Sequence, residues 1–220
     1  VEAKLGCKVI SYYGSIENHY MAMASYADSD EVRRRSTGKL YPGFEARLVN
    51  EGEVELAAGE IGELQVRGPY MGAGLLNDEE QTKVVWAPGG WYRTGDLATF
   101  DQEGNIYILG RTKDVINRGG QKIIPGEIEG LLLRNPKVAS VVVMGFADPV
   151  MGERACAFVV PQNGQSFTME EMQTFLSSQG IAKYKFPEKL IVLREFPLLP
   201  GGKLNRAELR ERLKESVKES

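Results

Sequence analysis

The sequence contains few of the side chains that most often carry catalysis or bind transition metals. Among its 220 residues there are two cysteines, Cys7 and Cys156, and a single histidine, His19. This composition excludes metal sites built on histidine and gives little support for a Ser-His-Asp triad. The two cysteines lie far apart without metal-type spacing, and we interpret them as reduced thiols of a cytoplasmic protein. Any catalysis must therefore rest on Lys, Arg, Asp, Glu, backbone dipoles or a bound cofactor.

Long apolar runs and an excess of positive charge are also absent from the sequence. No apolar stretch approaches the length that a bilayer requires, so no membrane span is predicted. A formal net charge of −3 at pH 7 gives no electrostatic argument for a nucleic acid partner. The opening residues, Val1 to Lys4, lack the apolar core of a signal peptide, and a start at Val favours a piece of a longer protein.

The spacing of apolar residues divides the chain into two parts and predicts an α+β fold. Alternation of polar and apolar residues predicts half-buried strands at Glu45–Val49 and Gly62–Arg67. Such short strands at close spacing favour a distorted barrel or sheet for domain 1–110. Domain 111–220 alternates buried strands with helices, one of which begins at Pro125 with acidic residues in its first turn. We expect it to form a central sheet flanked by helices.

Three short segments of the first part indicate where polar side chains lie. The β-prone run Cys7–Tyr13 is interpreted as a strand that presents the residues after it at its carboxyl end, where ligands bind in open α/β sheets. The run Arg33–Arg35 is interpreted as a solvated face. The segment Tyr92–Asp96 is interpreted as a polar turn.

Charge and glycine are most densely interleaved between Gly90 and Glu129, and short motifs lie in and around this stretch. In chain order the motifs are Tyr13-Gly14-Ser15-Ile16-Glu17, Gly62-Glu63-Leu64-x-x-x-Gly68, Tyr92-Arg93-Thr94-Gly95-Asp96-Leu97, Gly110-Arg111-x-Lys113-Asp114, Arg118-Gly119-Gly120, Glu127-Ile128-Glu129 and Pro197-x-x-x-Gly201-Gly202-Lys203. Their order resembles the motif order of the adenylate-forming ligases, which include acyl-CoA synthetases, adenylation domains of peptide synthetases and luciferases. The resemblance covers essentially the whole chain, and the ordered set is far more specific than any single motif.

The resemblance implies an ATP-dependent carboxylate–CoA ligase. Such an enzyme joins a small carboxylic acid to the α-phosphate of ATP, releases pyrophosphate and passes the acyl group from AMP to the thiol of coenzyme A, with Mg²⁺ as the metal ion. The Ser/Thr/Gly-rich phosphate loop of the family is not found in this sequence. The chain therefore resembles a carboxyl-terminal portion, with 1–110 as the end of the large AMP-binding domain and 111–220 as the mobile small domain. We expect this portion to be inactive alone.

The resemblance also implies roles for residues of the nucleotide site. Asp96 would accept hydrogen bonds from the ribose hydroxyls, because a carboxylate offers two acceptor oxygens. Arg111 would lie near the ribose or the phosphates as a fixed fork of donors. Tyr13 would stack on adenine, with Gly14 in the same cofactor-binding motif. Glu17 would hold Mg²⁺, a cation that prefers oxygen ligands.

Further roles are implied in the second part of the chain. Lys203 would be catalytic, because its charge offsets negative charge where the carboxylate attacks the α-phosphate. Lys113 matches the position of the family's hinge, and Gly119 and Gly120 would approach the path of the thiol. One departure concerns Ile16, which stands where the family commonly has Thr and removes a hydroxyl that could bond a phosphate oxygen.

The residues leave alternatives open. The nearest alternative to CoA as the acceptor is a carrier protein loaded by an aryl-acid–AMP ligase. An alternative of another class is a non-catalytic nucleotide-binding module that keeps the scaffold. Taken singly, Asp96 could cap a turn, Tyr13 could be a core aromatic and Lys203 a surface lysine. The sequence does not identify the carboxylic acid or the oligomeric state.

Overall fold

A computed structural model describes residues 2–218 and separates the chain into two compact units, Val1–Lys113 and Asp114–Ser220. Both units combine strands with helices, so the predicted α+β class is confirmed. Within the described residues, none of the helices combines the length and the hydropathy that a membrane-spanning helix requires. Each unit has its own hydrophobic core.

The first unit consists mainly of antiparallel strands. In chain order its elements are α1 (Glu2–Leu5), β1 (Tyr12–Ser15), β2 (His19–Met23), α2 (Asp30–Arg35), β3 (Lys39–Leu40), β4 (Glu45–Val49), β5 (Gly62–Arg67), α3 (Glu79–Val85), β6 (Trp86–Ala87), β7 (Trp91–Phe100) and β8 (Ile106–Arg111). The strands predicted from alternation are β4 and β5, and both are confirmed with the predicted bounds. Leu48 and Leu64 face the core, as alternation predicts, and the neighbouring Val49 and Gln65 are buried as well.

The predicted distorted barrel is wrong, because the larger sheet of the first unit is open. Its order is β4-β5-β7-β6, and β8 also pairs with β7. Among the strands of the described residues β4 pairs only with β5, apart from a single bridge between Val49 and Glu55, so the sheet does not close on itself. A separate three-stranded sheet has the order β1-β2-β3.

Two further expectations about the first unit are corrected. The strand expected at Cys7–Tyr13 begins only at Tyr12 and forms an antiparallel hairpin with β2. The polar residues after it therefore lie in a hairpin connection and not at the carboxyl end of a parallel strand. The expected solvated face at Arg33–Arg35 fails at Arg33, which is 2% exposed because its guanidinium pairs with Glu2 and Asp30.

The second unit is a sheet with helices on both faces, as predicted. Its elements are β9 (Ile116–Arg118), β10 (Gln121–Ile123), α4 (Pro125–Leu132), β11 (Val138–Asp148), β12 (Gly152–Pro161), α5 (Met169–Ser178), β13 (Lys189–Val192) and α6 (Arg206–Lys218). The strand order is β10-β9-β12-β11, with β13 parallel to β12. One face of β11 and β12 packs on α4 and α5, and the opposite face packs on α6. Both faces are covered, which explains the continuous apolar run of β11.

The core between the sheet and α5 is the basis of a stability prediction. Leu176 is fully buried there, and a capping box between Thr168 and Glu171 fixes the start of the helix. Leu176→Ala is expected to lower the free energy of unfolding by about 2–5 kcal/mol, measured by urea titration with circular dichroism. Leu133→Ala removes a leucine that is 53% exposed and is expected to change it by less than about 0.5 kcal/mol. Equal losses in both variants would contradict the assignment of the core.

Candidate functional site

Asp96 lies on a bulge in the long strand β7 and not in the polar turn expected for Tyr92–Asp96. The register between β5 and β7 shifts between Glu63 and Gln65, so that β7 contributes more residues than β5 at this point. Gly95 adopts a φ of +71°, which glycine reaches without the strain that other residues suffer. A bulge of this kind bends the strand and re-aims a side chain, here that of Asp96.

Side chains satisfy the backbone of this bulge. The Thr94 hydroxyl donates to the carbonyl oxygen of Leu64 at 2.7 Å and accepts the amide of Asp96 at 3.0 Å. The amide of Gly95 donates to the carboxylate of Glu63 at 3.2 Å. Side chains therefore replace the hydrogen bonds that a regular ladder between β5 and β7 would have made.

The carboxylate of Asp96 brings three of the expected site residues together. Asp96 is 8% exposed, and the hydroxyl of Tyr13 donates to its Oδ2 atom. The Arg111 guanidinium pairs with its Oδ1 atom, with 2.8 Å between Nε and Oδ1. Arg111 stands opposite Asp96 in the register of β7 and β8, which explains the contact. Burial, together with the Asp96 carboxylate, raises the pKa of the Tyr13 hydroxyl above its usual range, so Tyr13 remains a donor.

The hairpin between β1 and β2 positions Glu17. The Ser15 hydroxyl donates to Glu17 Oε2 at 2.6 Å, and this bond holds the pKa of the Glu17 carboxyl below its usual range although partial burial opposes it. Gly14 lies in β1 where the two strands approach closely, since a Cβ atom there would lie 1.5 Å from the carbonyl oxygen of His19. Ile16 is 91% exposed at the tip of the hairpin.

Glu17 also fits the expected metal ion. Within residues 2–218 no group of three or more His, Cys, Asp or Glu side chains could enclose a metal. Mg²⁺ does not require such a cage, because it is often bound through one or two carboxylates together with substrate phosphates. Glu17 is partly exposed and ionised, and only its Oε2 atom accepts the Ser15 hydroxyl, so a single-carboxylate Mg²⁺ site is compatible with its surroundings.

Tyr92, Glu63 and Thr94 contribute to this region although the sequence argument gave them no role. The Tyr92 hydroxyl lies against Glu17 and Ser15, and burial, followed by the charge of Glu17, raises its pKa. All three residues belong to motifs that were recognised, so the signal was present in the sequence. Their contacts depend on strand pairing, which the motifs do not specify.

In the second unit, Gly119 and Gly120 form the turn of the β9–β10 hairpin. Their φ angles of +56° and +84° suit a tight two-residue hairpin turn. A Cβ atom on Gly119 would lie 2.7 Å from the Cε atom of Met151, so this position also lacks room for a side chain. Beside the turn, the Arg118 guanidinium pairs with Glu188 at 2.7 Å between Nε and Oε1.

Lys203 lies on a tight turn that precedes α6. The amide of Leu199 donates to the carbonyl oxygen of Lys203 at 2.8 Å, and the amide of Gly202 donates to that of Leu199 at 2.8 Å. Lys203 is exposed, and its ammonium group forms no ion pair within the part of the chain that the structure describes. It is therefore a cation available to a ligand.

Lys113, the expected hinge, ends the first unit. It is exposed in a 3-10 turn spanning Thr112–Asp114. Asp114 pairs with Arg206 at the start of α6, with 3.7 Å between Oδ2 and Nη1. The expected site residues are thus divided, with Tyr13, Gly14, Glu17, Asp96 and Arg111 in the first unit and Gly119, Gly120 and Lys203 in the second.

Comparison with known proteins gives the family. A family model described as "AMP-binding enzyme" matches residues 1–76, and one described as "AMP-binding enzyme C-terminal domain" matches residues 127–203. The two matched segments show that the chain belongs to the family of AMP-binding enzymes.

Relatives and solved structures agree with this family. A salicylyl-CoA synthase / salicylate adenylyltransferase of Streptomyces sp is 39% identical over 185 residues, which cover 84% of this chain and 34% of that protein. The medium-chain fatty-acid–CoA ligase of Escherichia coli is 36% identical over 207 residues, 94% of this chain and 37% of that protein. ATP-bound MatB from Rhodopseudomonas palustris superposes with a TM-score of 0.86 at 34% identity, covering 97% of this chain and 42% of that one. The chain thus spans between about a third and two fifths of these proteins.

Proposed function

We propose that the protein containing this chain is an ATP-dependent carboxylate–CoA ligase that forms an acyl-AMP and transfers the acyl group to coenzyme A. The observation that carries the proposal is the buried Asp96 carboxylate, held by Tyr13 and Arg111 on a strand bulge in a chain of the AMP-binding family. In this proposal residues 1–110 end the large AMP-binding domain and residues 111–220 form the mobile domain. The two cysteines, which form no disulfide, favour the cytoplasm as its location.

The first half-reaction joins the acid to AMP. A carboxylate oxygen of the substrate bonds to the α-phosphorus of ATP, and the bond from that phosphorus to pyrophosphate breaks. Asp96 accepts hydrogen bonds from the ribose hydroxyls. A carboxylate offers about four lone-pair sites, and the two protein partners of Asp96 occupy only two of them. Arg111 directs its remaining N–H groups to the ribose or the phosphates. The ring of Tyr13 stacks on adenine while its hydroxyl keeps Asp96 oriented, and Gly14 lets the backbone approach the nucleotide.

Glu17 would hold Mg²⁺ at the phosphates, and the ion would supply positive charge to the oxygens that gain negative charge as pyrophosphate leaves. The hydroxyls of Ser15 and Tyr92 keep the Glu17 carboxylate ionised and oriented for this task. Ile16 stands where the family commonly has Thr, so it offers no hydroxyl to a phosphate oxygen. Other groups of the site would have to make that hydrogen bond.

Lys203 is the proposed catalytic residue of adenylation. Its ammonium group would neutralise charge between the attacking carboxylate and the α-phosphate and help to hold the two in line. The glycines before it give the turn the freedom to move. Lys113 is the proposed hinge, and Gly119 and Gly120 are proposed to border the path of the thiol in the second half-reaction. There the thiol sulfur bonds to the acyl carbon, its proton is lost, and AMP leaves with the bonding pair.

A second candidate function is an aryl-acid–AMP ligase that loads a carrier protein. The observation that favours an aryl acid is the 39% identity to a protein named salicylyl-CoA synthase / salicylate adenylyltransferase, a name that is compatible with either acceptor. The two candidates share the first half-reaction and differ only in the acceptor. A non-catalytic nucleotide-binding module would lack both half-reactions.

The proposal is tested by ATP–pyrophosphate exchange on the full-length protein with a panel of aliphatic and aromatic acids. We expect exchange to depend on one class of acid, because pyrophosphate can re-form ATP only from an acyl-AMP. Free CoA or a carrier domain bearing phosphopantetheine is then added to the same mixture. A thioester with free CoA supports the first candidate, a thioester with the carrier alone supports the second, and the absence of exchange with every acid contradicts both.

A further inference from the structure

We propose that Glu63 is a positioning residue for Asp96, and that the hydrogen bond from the Gly95 amide to the Glu63 carboxylate sets the orientation in which Asp96 meets the ribose. This inference rests on the proposed function, because it assumes that Asp96 binds the ribose hydroxyls. It assigns to the glutamate of β5 a part in nucleotide recognition.

The bulge explains why an acceptor is needed at this point. Between Glu63 and Gln65 the ladder of β5 and β7 is interrupted, so the Gly95 amide finds no carbonyl partner on β5. The Glu63 carboxylate takes that place at 3.2 Å. On the other side of Gly95, the Thr94 hydroxyl is fixed to Leu64 and accepts the Asp96 amide. The peptide units on both sides of Gly95 are thus held by side chains, and Asp96 follows directly.

The surroundings of Glu63 argue against a role as a simple ion pair. Glu63 is half-buried, and burial raises the pKa of its carboxyl above the usual range although the hydrogen bond from the Gly95 amide opposes this. The carboxylates of Glu53 and Asp96 raise this pKa further, and the charge of Arg93 lowers it. Arg93, whose charge acts on Glu63, forms its ion pair with Glu53. Among the described residues the only hydrogen bond to the Glu63 side chain comes from Gly95. A carboxylate kept in this unfavourable position has one evident contribution, which is to hold the bulge.

Loss of this acceptor should affect one part of the ligand more than the others. Without it the Gly95 peptide can rotate, and the Asp96 carboxylate loses its fixed direction while Tyr13 and Arg111 remain as partners. The hydrogen bonds from Asp96 to the ribose hydroxyls then weaken. Adenine stacking by Tyr13 and the binding of the carboxylic acid are expected to change less, because neither is assigned to Glu63 or Gly95. The expected signature is therefore a loss of discrimination between ATP and an analogue that lacks the ribose hydroxyls.

The experiment uses the full-length protein and compares ATP with 2′,3′-dideoxy-ATP in acid-dependent pyrophosphate exchange. Glu63→Ala removes the acceptor, and Glu63→Gln keeps an acceptor oxygen without the charge. Glu63→Thr withdraws the acceptor from the Gly95 amide, because its hydroxyl is attached directly to Cβ and is shorter than the glutamate side chain, and threonine suits a strand. Glu55→Ala, which changes an exposed glutamate of the same unit, is the matched control. Thermal unfolding of each variant reports stability separately.

For Glu63→Ala and Glu63→Thr we expect the KM for ATP to rise about tenfold and the preference for ATP over the dideoxy analogue to fall by about the same factor. The KM for the acid should stay within about twofold of the wild-type value. In Glu63→Gln and Glu55→Ala, both KM values and the preference between nucleotides should stay close to those of the wild type. A purely structural role would lower the melting temperature and leave the preference between nucleotides unchanged.

Other outcomes separate this inference from the proposed function. If the wild type discriminates between the nucleotides and Asp96→Ala abolishes that discrimination, but Glu63→Ala and Glu63→Thr keep it, only the positioning role is wrong. If the wild type shows no preference for ATP, the ribose contact of Asp96 is wrong and the inference fails with it. If neither Glu63→Ala nor Glu63→Thr folds, Glu63 is a residue of fold stability and the inference is overturned.

Discussion

Lys203→Ala in the full-length protein is expected to lower acid-dependent ATP–pyrophosphate exchange at least about 10²-fold, the order of loss seen when one key electrostatic group is removed. The reason is local, since the ammonium group is exposed on a tight glycine turn and has no ion-pair partner among the described residues. Its charge is therefore not needed for the fold. Removing it should cost transition-state stabilisation and leave thermal stability unchanged.

Two variants and a second assay make this prediction specific. Lys183→Ala removes another exposed lysine of the same unit and should retain exchange within about twofold. Lys203→Arg keeps the charge in a different shape and should recover only part of the activity. When preformed acyl-AMP and the thiol are supplied, Lys203→Ala should still form the thioester, because that step does not need the lysine. Full exchange activity in Lys203→Ala would show that the assignment is wrong.

Asp96→Ala is expected to reduce kcat/KM for ATP about 10²-fold or more, chiefly by raising the KM for ATP. Hydrogen bonds to a charged acceptor are each worth about 1.5–3 kcal/mol, and two ribose hydroxyls would lose theirs. The variant also releases Arg111 from its ion pair and leaves the Tyr13 hydroxyl without its acceptor. Tyr13→Phe keeps the ring for stacking and loses only the hydroxyl, so its loss should be about tenfold or less.

A carboxylate on the neighbouring turn provides the control for Asp96. Asp101 lies in the connection between β7 and β8 and accepts hydrogen bonds from Asn105 and from Tyr107 of β8. Burial acts to raise the pKa of Asp101, but its hydrogen bonds together hold that pKa below its usual range. Asp101→Ala should therefore reduce stability while leaving the KM for ATP near the wild-type value. An equal rise of this KM in Asp96→Ala and Asp101→Ala would assign the effect to the fold of the hairpin and contradict a ribose contact.

Local patterns predicted much of the fold because short-range physics determines those elements. The strand Glu45–Val49 follows from alternation, and the helix that begins at Pro125 follows from the proline and the acidic residue of its first turn. The bulge at Asp96 could not be predicted in this way. Thr, Gly and Asp are typical turn residues, and only pairing with β5 and β8 keeps them within a strand.

Long-range pairing also explains the other errors. Arg33 belongs to a run of three arginines that looks solvated, but Glu2, 31 residues away in sequence, reaches its guanidinium and allows its burial. The barrel expected from many short strands fails because strand count does not determine which edges meet. In the site, the motifs predicted Tyr13, Asp96 and Arg111 without their mutual contacts. The hydrogen bond from the Tyr13 hydroxyl to Asp96 joins residues 83 positions apart in sequence, and it depends on how separate strands pack.

The nucleotide products of a single turnover test the central claim most directly. The full-length protein is incubated with α-labelled ATP, Mg²⁺ and the acid selected by exchange, and the labelled species are separated after quenching. Formation of an acyl-AMP is predicted, with pyrophosphate released in equal amount and with no labelled product in the absence of the acid. Release of ADP and phosphate, or labelled AMP formed equally well without the acid, would contradict a carboxylate-activating ligase.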